Sequence, residues 1–222
     1  MNYRALLAEF IGTFALIFIG VGSIVSDFIT GGQVGLTGIA LAHGLTIAVM
    51  VSATAAISGG HLNPAVTIGL LTAKKIDAPN AFGYVLAQCA GGISAALLLK
   101  TAIPAAALEA VSMGTPALAE GISLSMGLVT EIILTFFLVF AVYGTAVDRR
   151  APKVGGLFIG LAVTLGVLMG GPITGAAMNP ARHLGPALVS GNLANLWLYW
   201  VGPVIGGILA AIIYRRGLEQ PA

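Results

Sequence analysis

Charge is what this sequence has least of. Only 8% of its 222 residues are Asp, Glu, Lys or Arg, against roughly 25% in an average soluble domain. Mean hydropathy is +1.00, so the chain reads as a multispanning membrane protein. Cysteine is nearly absent too. The single Cys89 excludes an intramolecular disulfide and a cysteine metal cluster, and reads as a small residue buried in a helix interface. There is no nucleophile–base pair, metal cluster or nucleotide loop, so an enzyme reading has no support and no cofactor is expected. The net charge of +2 follows membrane topology and does not argue for a nucleic-acid partner.

What the chain does have is long apolar runs. Six of them, at 5–25, 36–56, 80–101, 122–144, 154–169 and 194–214, are separated by short polar breaks. Most have the length that crosses a hydrocarbon core of about 30 Å. The first is too long for a signal-peptide core and reads as a retained helix. With the N-terminus inside, the cytoplasmic side receives Arg4, Lys74, Lys75, Arg149, Arg150, Lys153, Arg215 and Arg216. The outside keeps only Lys100 and Arg182. That asymmetry places both termini in the cytoplasm, and the short termini point to a prokaryotic cell-membrane protein.

The chain is also written twice. "AEFIGTF" sets Glu9 four residues before Thr13, and "TEIILTF" sets Glu131 four before Thr135. "NAFGYVLAQCAGGISAALL" runs against "NLWLYWVGPVIGGILAAII", pairing Asn80 with Asn195, Tyr84 with Tyr199, and Gly91-Gly92 with Gly206-Gly207. Each half holds three spans, an odd number, so the halves, near 1–110 and 111–222, must be inverted about an axis in the membrane plane. The glycine pairs fit close helix crossings.

Two segments remain, "SGGHLNPAVTIGLLTAKK" and "GAAMNPARHLGPALV". Each is too short to span and too apolar for an ordinary loop. Asn is a favoured N-cap and Pro a natural first helical residue, so both read as helix starts. A ten-residue helix rises about 15 Å, half the hydrocarbon thickness. One enters from each side, so their Asn-Pro ends meet at the midplane, where such backbone is tolerated only if buried in protein or lining a watery cavity. Each end carries about half a positive charge, which opposes cations, while the Asn63 and Asn179 amides can donate to a passing oxygen.

Taken together, "SGGHLNPAVT", "MNPAR", the Glu9/Glu131 pair and "GYVLAQ" resemble the aquaporin, or major intrinsic protein, family over almost the whole chain. The resemblance implies an all-α membrane protein of six transmembrane helices and two re-entrant half-helices in an inverted repeat, forming a single channel domain. It implies a pore for water in every subunit of a homotetramer. Asn63-Pro64-Ala65 and Asn179-Pro180-Ala181 would form the central constriction. Arg182 would line an outer filter as a fixed positive charge, rather than snorkel to the headgroups.

Counted along the family pattern, the filter falls on His43, Val167, Ala176 and Arg182, a set similar to the plant vacuolar-membrane and ammonia-permeable branches. Water and small neutral solutes such as ammonia are then the expected permeants. Glycerol is expected to pass poorly, because neither an aromatic slide nor an Asp accompanies the Arg; a glycerol or small-polyol facilitator is the alternative. A secondary transporter would need midplane carboxylates, which the meeting ends lack. Glu9 and Glu131 are expected to accept backbone N–H groups of the loops before the half-helices. His61 either lines the cytoplasmic side of the pore or fixes the re-entrant turn. His183 departs from the family pattern, and a helix-surface residue touching a neighbouring element is the expectation.

Overall fold

The computed structural model describes residues 2–152 and 154–219. Lys153, counted above among the cytoplasmic charges, lies outside the described residues. Among the described residues, six helices are long and apolar enough to cross a membrane: α1 (Tyr3–Ile29), α2 (Gly35–Ser58), α4 (Ala78–Ala102), α6 (Leu124–Val142), α7 (Gly155–Thr174) and α9 (Leu198–Gly217). Between them lie two short helices that begin at Asn-Pro, α3 (Pro64–Thr72) and α8 (Pro180–Ser190). A further short helix, α5 (Ala105–Ala110), and a 3-10 turn at Ser112–Gly114 occupy the connection between the halves. Neither was expected from hydropathy.

The helix ends follow local chemistry. Asn2, Asp77 and Ser123 cap α1, α4 and α6 by accepting a backbone N–H. Gly59, Gly175 and Gly191 close α2, α7 and α8 in the left-handed conformation. Three expected ends need correction, and the first is that α1 runs to Ile29, past 25. The fifth span runs to Thr174, past 169, because Pro172 sits in its last turn and Gly175, not the Gly-Pro pair, supplies the stop. The sixth starts at Leu198, not 194, because Asn195 takes a left-handed φ of 56°; an Asn tolerates that conformation. Asn80, its counterpart, lies inside the first turn of α4, so that pair matches in sequence but not in conformation. α6 continues into a π-helical turn at Tyr143–Val147.

The packing repeats between the halves. α1 packs on α4 as α6 packs on α9; α1 packs on α2 as α6 packs on α7; α4 carries α8 as α9 carries α3. The halves join where α2 packs against α7. Glycine permits these approaches. A Cβ on Gly91 would strike the Phe10 carbonyl, and one on Gly206 the Ile132 carbonyl. Their neighbours make room for the half-helices: a Cβ on Gly92 would lie 2.8 Å from the Ala181 carbonyl, and one on Gly207 2.7 Å from that of Ala65.

Surface and interior are inverted relative to a water-soluble bundle. Leu165 is 67% exposed, Phe82 66% and Phe137 61%, whereas Glu9, Gln88 and Glu131 are fully buried. Apolar side chains facing outward suit lipid, and polar ones within must find partners there. Cys89, expected in a helix interface, is only partly buried.

Candidate functional site: a pore where two half-helices meet

Each re-entrant loop is shaped by left-handed residues at alternate positions, Gly60 and Leu62 in the first and Ala176 and Met178 in the second. Non-glycine residues there are uncommon and strained, so surrounding contacts must hold them. Glu9 and Glu131 supply those contacts. Glu9 accepts from the backbone N–H groups of His61 (2.9 Å) and Leu62 (2.6 Å), the Ser58 hydroxyl (2.6 Å) and the Gln88 amide (2.7 Å). Glu131 accepts from the N–H groups of Ala177 (2.9 Å) and Met178 (2.8 Å) and from the Thr174 hydroxyl (2.7 Å). Tyr84 then donates to the Ser58 carbonyl, and Tyr199 to that of Thr174, each at 2.8 Å. The buried carboxylates are thus met by donors from the loops that lead into α3 and α8.

Those loops present the two Asn side chains to each other. The Asn63 carbonyl oxygen caps its own helix at Ala65 N, and that of Asn179 caps Ala181 N and Arg182 N. The amide nitrogens cross over: Asn63 Nδ2 donates to the Met178 carbonyl and Asn179 Nδ2 to the Leu62 carbonyl, both at 2.9 Å. A primary amide carries two N–H donors, so each Asn keeps one beyond the crossed bond. Pro64, Ala65, Pro180 and Ala181 are buried in the first turns. α3 rises about 14 Å and α8 about 16 Å, and their N-terminal ends meet with positive partial charge on both.

A narrow cavity of about 30 Å³ runs past this meeting point, lined by His43, His61, Asn63, Val167, Ala176, Asn179 and Arg182 and walled by aliphatic side chains such as Val51, Leu138 and Ile159. A second cavity of about 300 Å³ is separate from it, yet His43, Val167 and Arg182 line both. Residues common to two cavities stand at the partition between them. There the Arg182 guanidinium donates to the Gly114 carbonyl at 2.8 Å and approaches His43 Nε2 at 3.4 Å. His43 Nδ1 lies 2.9 Å from the Ile39 carbonyl. With that nitrogen as donor, Nε2 offers a lone pair to Arg182. Among the described residues Arg182 has no carboxylate partner within ion-pair distance, so its charge stays open to the lumen. Gly20 makes space for the imidazole, since a Cβ there would lie 2.5 Å from His43 Nε2.

His61 lines the cavity and places Nδ1 3.1 Å from the Thr67 hydroxyl, so the pore-lining and turn-fixing readings both describe its position. His183 is corrected. It is fully buried, not on a helix surface, and stacks on Tyr199 with centroids 4.1 Å apart. The repeat explains why: His183 holds the place of Thr67, and Pro203 holds that of Gln88, so an aromatic ring occupies the volume that hydrogen-bonding groups fill in the first half. Ser58, Thr174, Gly20 and Gly114 were not singled out in the sequence. The first two carry a readable signal, a hydroxyl residue followed by Gly, five positions before each Asn. Gly114 acts through its carbonyl, for which no side chain speaks.

The fold and this site define a membrane pore protein built from two inverted halves. The family model described as "Major intrinsic protein" matches residues 1–214, and the chain belongs to that family. It is 49% identical over 220 residues to "Aquaporin TIP4-4" of Zea mays, covering 95% of this chain and 85% of that protein. Against "Aquaporin TIP2-3" of Arabidopsis thaliana the identity is 44% over 221 residues, covering 96% and 86%. Its fold is similar to the X-ray structure of the aquaglyceroporin from Plasmodium falciparum, with a TM-score of 0.85, 27% identity, and 97% of this chain and 96% of that one covered.

Proposed function

We propose that this multi-pass membrane protein is a passive channel, not an enzyme, for water and for small neutral solutes, ammonia among them. The observation that carries the reading is the crossed pair of amides at Asn63 and Asn179, at the meeting of two positive helix ends. A permeating water can accept from either amide, while a hydrated cation faces two positive ends and the open charge of Arg182. Asn63, Pro64, Ala65, Asn179, Pro180 and Ala181 form the central constriction in this reading. Glu9 and Glu131 brace it, and His61 borders the cytoplasmic side. Among the described residues no carboxylate lines the central cavity, whereas the coupling-ion site of a secondary transporter is usually built on such groups.

His43, Val167, Ala176 and Arg182 are the proposed outer filter. Val167 and Ala176 give it an apolar side, opposite the two polar groups, which suits a small neutral molecule less demanding than water in hydrogen-bond geometry. The whole chain acts as one channel domain of halves near 1–110 and 111–222. It assembles as a homotetramer in the cell membrane with both termini cytoplasmic, a placement supported by the Lys and Arg asymmetry.

Two measurements on proteoliposomes test this. Osmotic permeability is expected to exceed that of empty vesicles, with no accompanying current; equality with empty vesicles would remove the channel reading. His43→Phe is expected to lower ammonia permeability at matched water flux, while glycerol stays slow in both proteins. Equal ammonia permeability would show that the filter is assigned wrongly, and fast glycerol flux through the wild type would favour a polyol facilitator.

A further inference from the structure

Lys100 is the only basic residue of the outer side that the pore does not use. It stands in the last turn of α4, on the rim of a cavity of about 290 Å³ bounded by α5, the 3-10 turn and the end of α8. Glu109 of α5 lines the same cavity. Among the described residues the two form no ion pair within 4.0 Å, although they carry opposite charges on one pocket. Both are exposed, whereas Leu108 and Met113, which also line it, are buried.

We propose that this pocket binds the headgroup of a zwitterionic phospholipid carrying a primary ammonium, with Lys100 on the phosphate and Glu109 on the ammonium. Three features select this chemistry over a plain anion. First, two helices, α4 and α8, end beside the pocket, and their C-termini bring partial negative charge there. Second, α8 lacks the closing bond that Gly59 makes to Ala55 and Gly175 makes to Gly171 in the other glycine-ended helices. Of its last four carbonyls, that of Ala187 takes the Ser190 hydroxyl at 3.4 Å, and the other three have no donor among the described residues and are open to an ammonium. Third, Glu109 adds a full negative charge. An anionic ligand would gain Lys100 and meet opposition from the rest. A headgroup with both signs satisfies both ends of the pocket.

The donor side is equally open. Lys100 Nζ, the Ser112 hydroxyl and the Asn192 amide nitrogen donate no hydrogen bond among the described residues, and all three residues line the cavity. Phosphate oxygens accept strongly from such groups. At about 290 Å³ the cavity has room for a small headgroup. The lipid tails have a path: Leu97, one helical turn before Lys100, is 53% exposed, and Leu98 is 47% exposed. A lysine at the end of a span sits at headgroup depth in any case. What the pocket adds is a carboxylate and free carbonyls around it.

The test is native mass spectrometry of the whole chain, purified in detergent and offered dioleoyl phosphatidylethanolamine, dioleoyl phosphatidylglycerol or inorganic phosphate. Phosphatidylethanolamine is expected to bind at about one per chain. Lys100→Gln and Glu109→Gln are each expected to weaken it about tenfold, as loss of one charged hydrogen-bond partner implies. The double exchange Lys100→Glu with Glu109→Lys is expected to stay weak, because the α8 carbonyls and the Ser112 and Asn192 donors keep their places while the two charges trade. Water permeability of the same preparations, expected to be unchanged, establishes that each variant is folded. Stronger phosphatidylglycerol binding that improves in Glu109→Gln would overturn the proposal in favour of a simple anion site. Lipid binding indifferent to both substitutions would overturn it outright. Displacement of the lipid by inorganic phosphate alone would show that a free anion, not a membrane lipid, is the occupant.

Discussion

Asn63 and Asn179 each use their side-chain carbonyl to cap a helix and one amide N–H to hold the opposite loop. An Asp at either position could still cap, but an ionised one has no N–H to donate and brings negative charge to a positive helix end. Asn63→Asp or Asn179→Asp is therefore expected to admit cations or to lose the fold. Folded variants that conduct water at the wild-type rate and remain cation-tight in current recordings would contradict this role. Glu131 behaves differently, because its oxygens accept two backbone N–H groups and one hydroxyl. Glu131→Gln replaces one acceptor by a donor and leaves a buried N–H of Ala177 or Met178 unpaired, at a cost of about 1–3 kcal/mol. Thermal unfolding in detergent should show the loss, and water flux per folded molecule should fall because Met178 positions the Asn63 amide. An unchanged midpoint would mean that the carboxylate is not needed there. The Asn boxes and the carboxylate pair were legible in the sequence because each is a side-chain signal repeated in both halves. The acceptor of Arg182 was not, since any residue at position 114 has a carbonyl. His183 does touch a neighbouring element, Tyr199 of α9, but its full burial was not legible, because that depends on Pro203 and Tyr199 of another helix.

At the scale of elements, α2 and α7 meet through Gly44 and Gly160, each of whose missing Cβ would strike the other's carbonyl. Gly160→Ala should therefore destabilise by about 1–3 kcal/mol, the usual range for overpacking. Gly22→Ala, where nothing lies within 4 Å, is the matched control, and equal unfolding midpoints for the two would refute the crossing argument. The turn after α6 is tied by Asp148, whose carboxylate takes Arg150 Nε at 2.9 Å and Nη2 at 2.5 Å. Arg150 also reaches the Leu218 carbonyl at 2.9 Å, just beyond α9. The Arg150 hydrogen bonds hold the Asp148 carboxyl well below the usual carboxylate range. A depressed folded value means that the contribution is complete above the unfolded Asp value of about 3.9 and is lost as pH falls through the folded one. The midpoint difference between wild type and Asp148→Asn is thus expected to stay constant from pH 8 to pH 5 and to shrink below about pH 4. A difference that grows on acidification would have the wrong sign. Span existence was readable from hydropathy, whereas the ends at Thr174 and Leu198 were set by a glycine cap and a left-handed Asn.

For the molecule as a whole, the crossed amides set an order of assembly. Asn63 and Met178 lie 115 residues apart, and Leu62 and Asn179 lie 117 apart. During synthesis at roughly 5–20 residues per second, the first loop enters the membrane on the order of ten seconds before its partner exists. Throughout that interval the Asn63 amide lacks its Met178 partner, while the Leu62 carbonyl has only the Thr13 hydroxyl of its own half, at 3.2 Å. The nascent half must borrow substitutes from the translocation machinery, from lipid headgroups, or by holding α3 near the surface until α8 arrives. Two loops that complete each other can thus close their shared hydrogen bonds only late in the chain's own translation. A truncated chain would be expected to leave an unfinished half that quality control can recognise by its unpaired midplane groups.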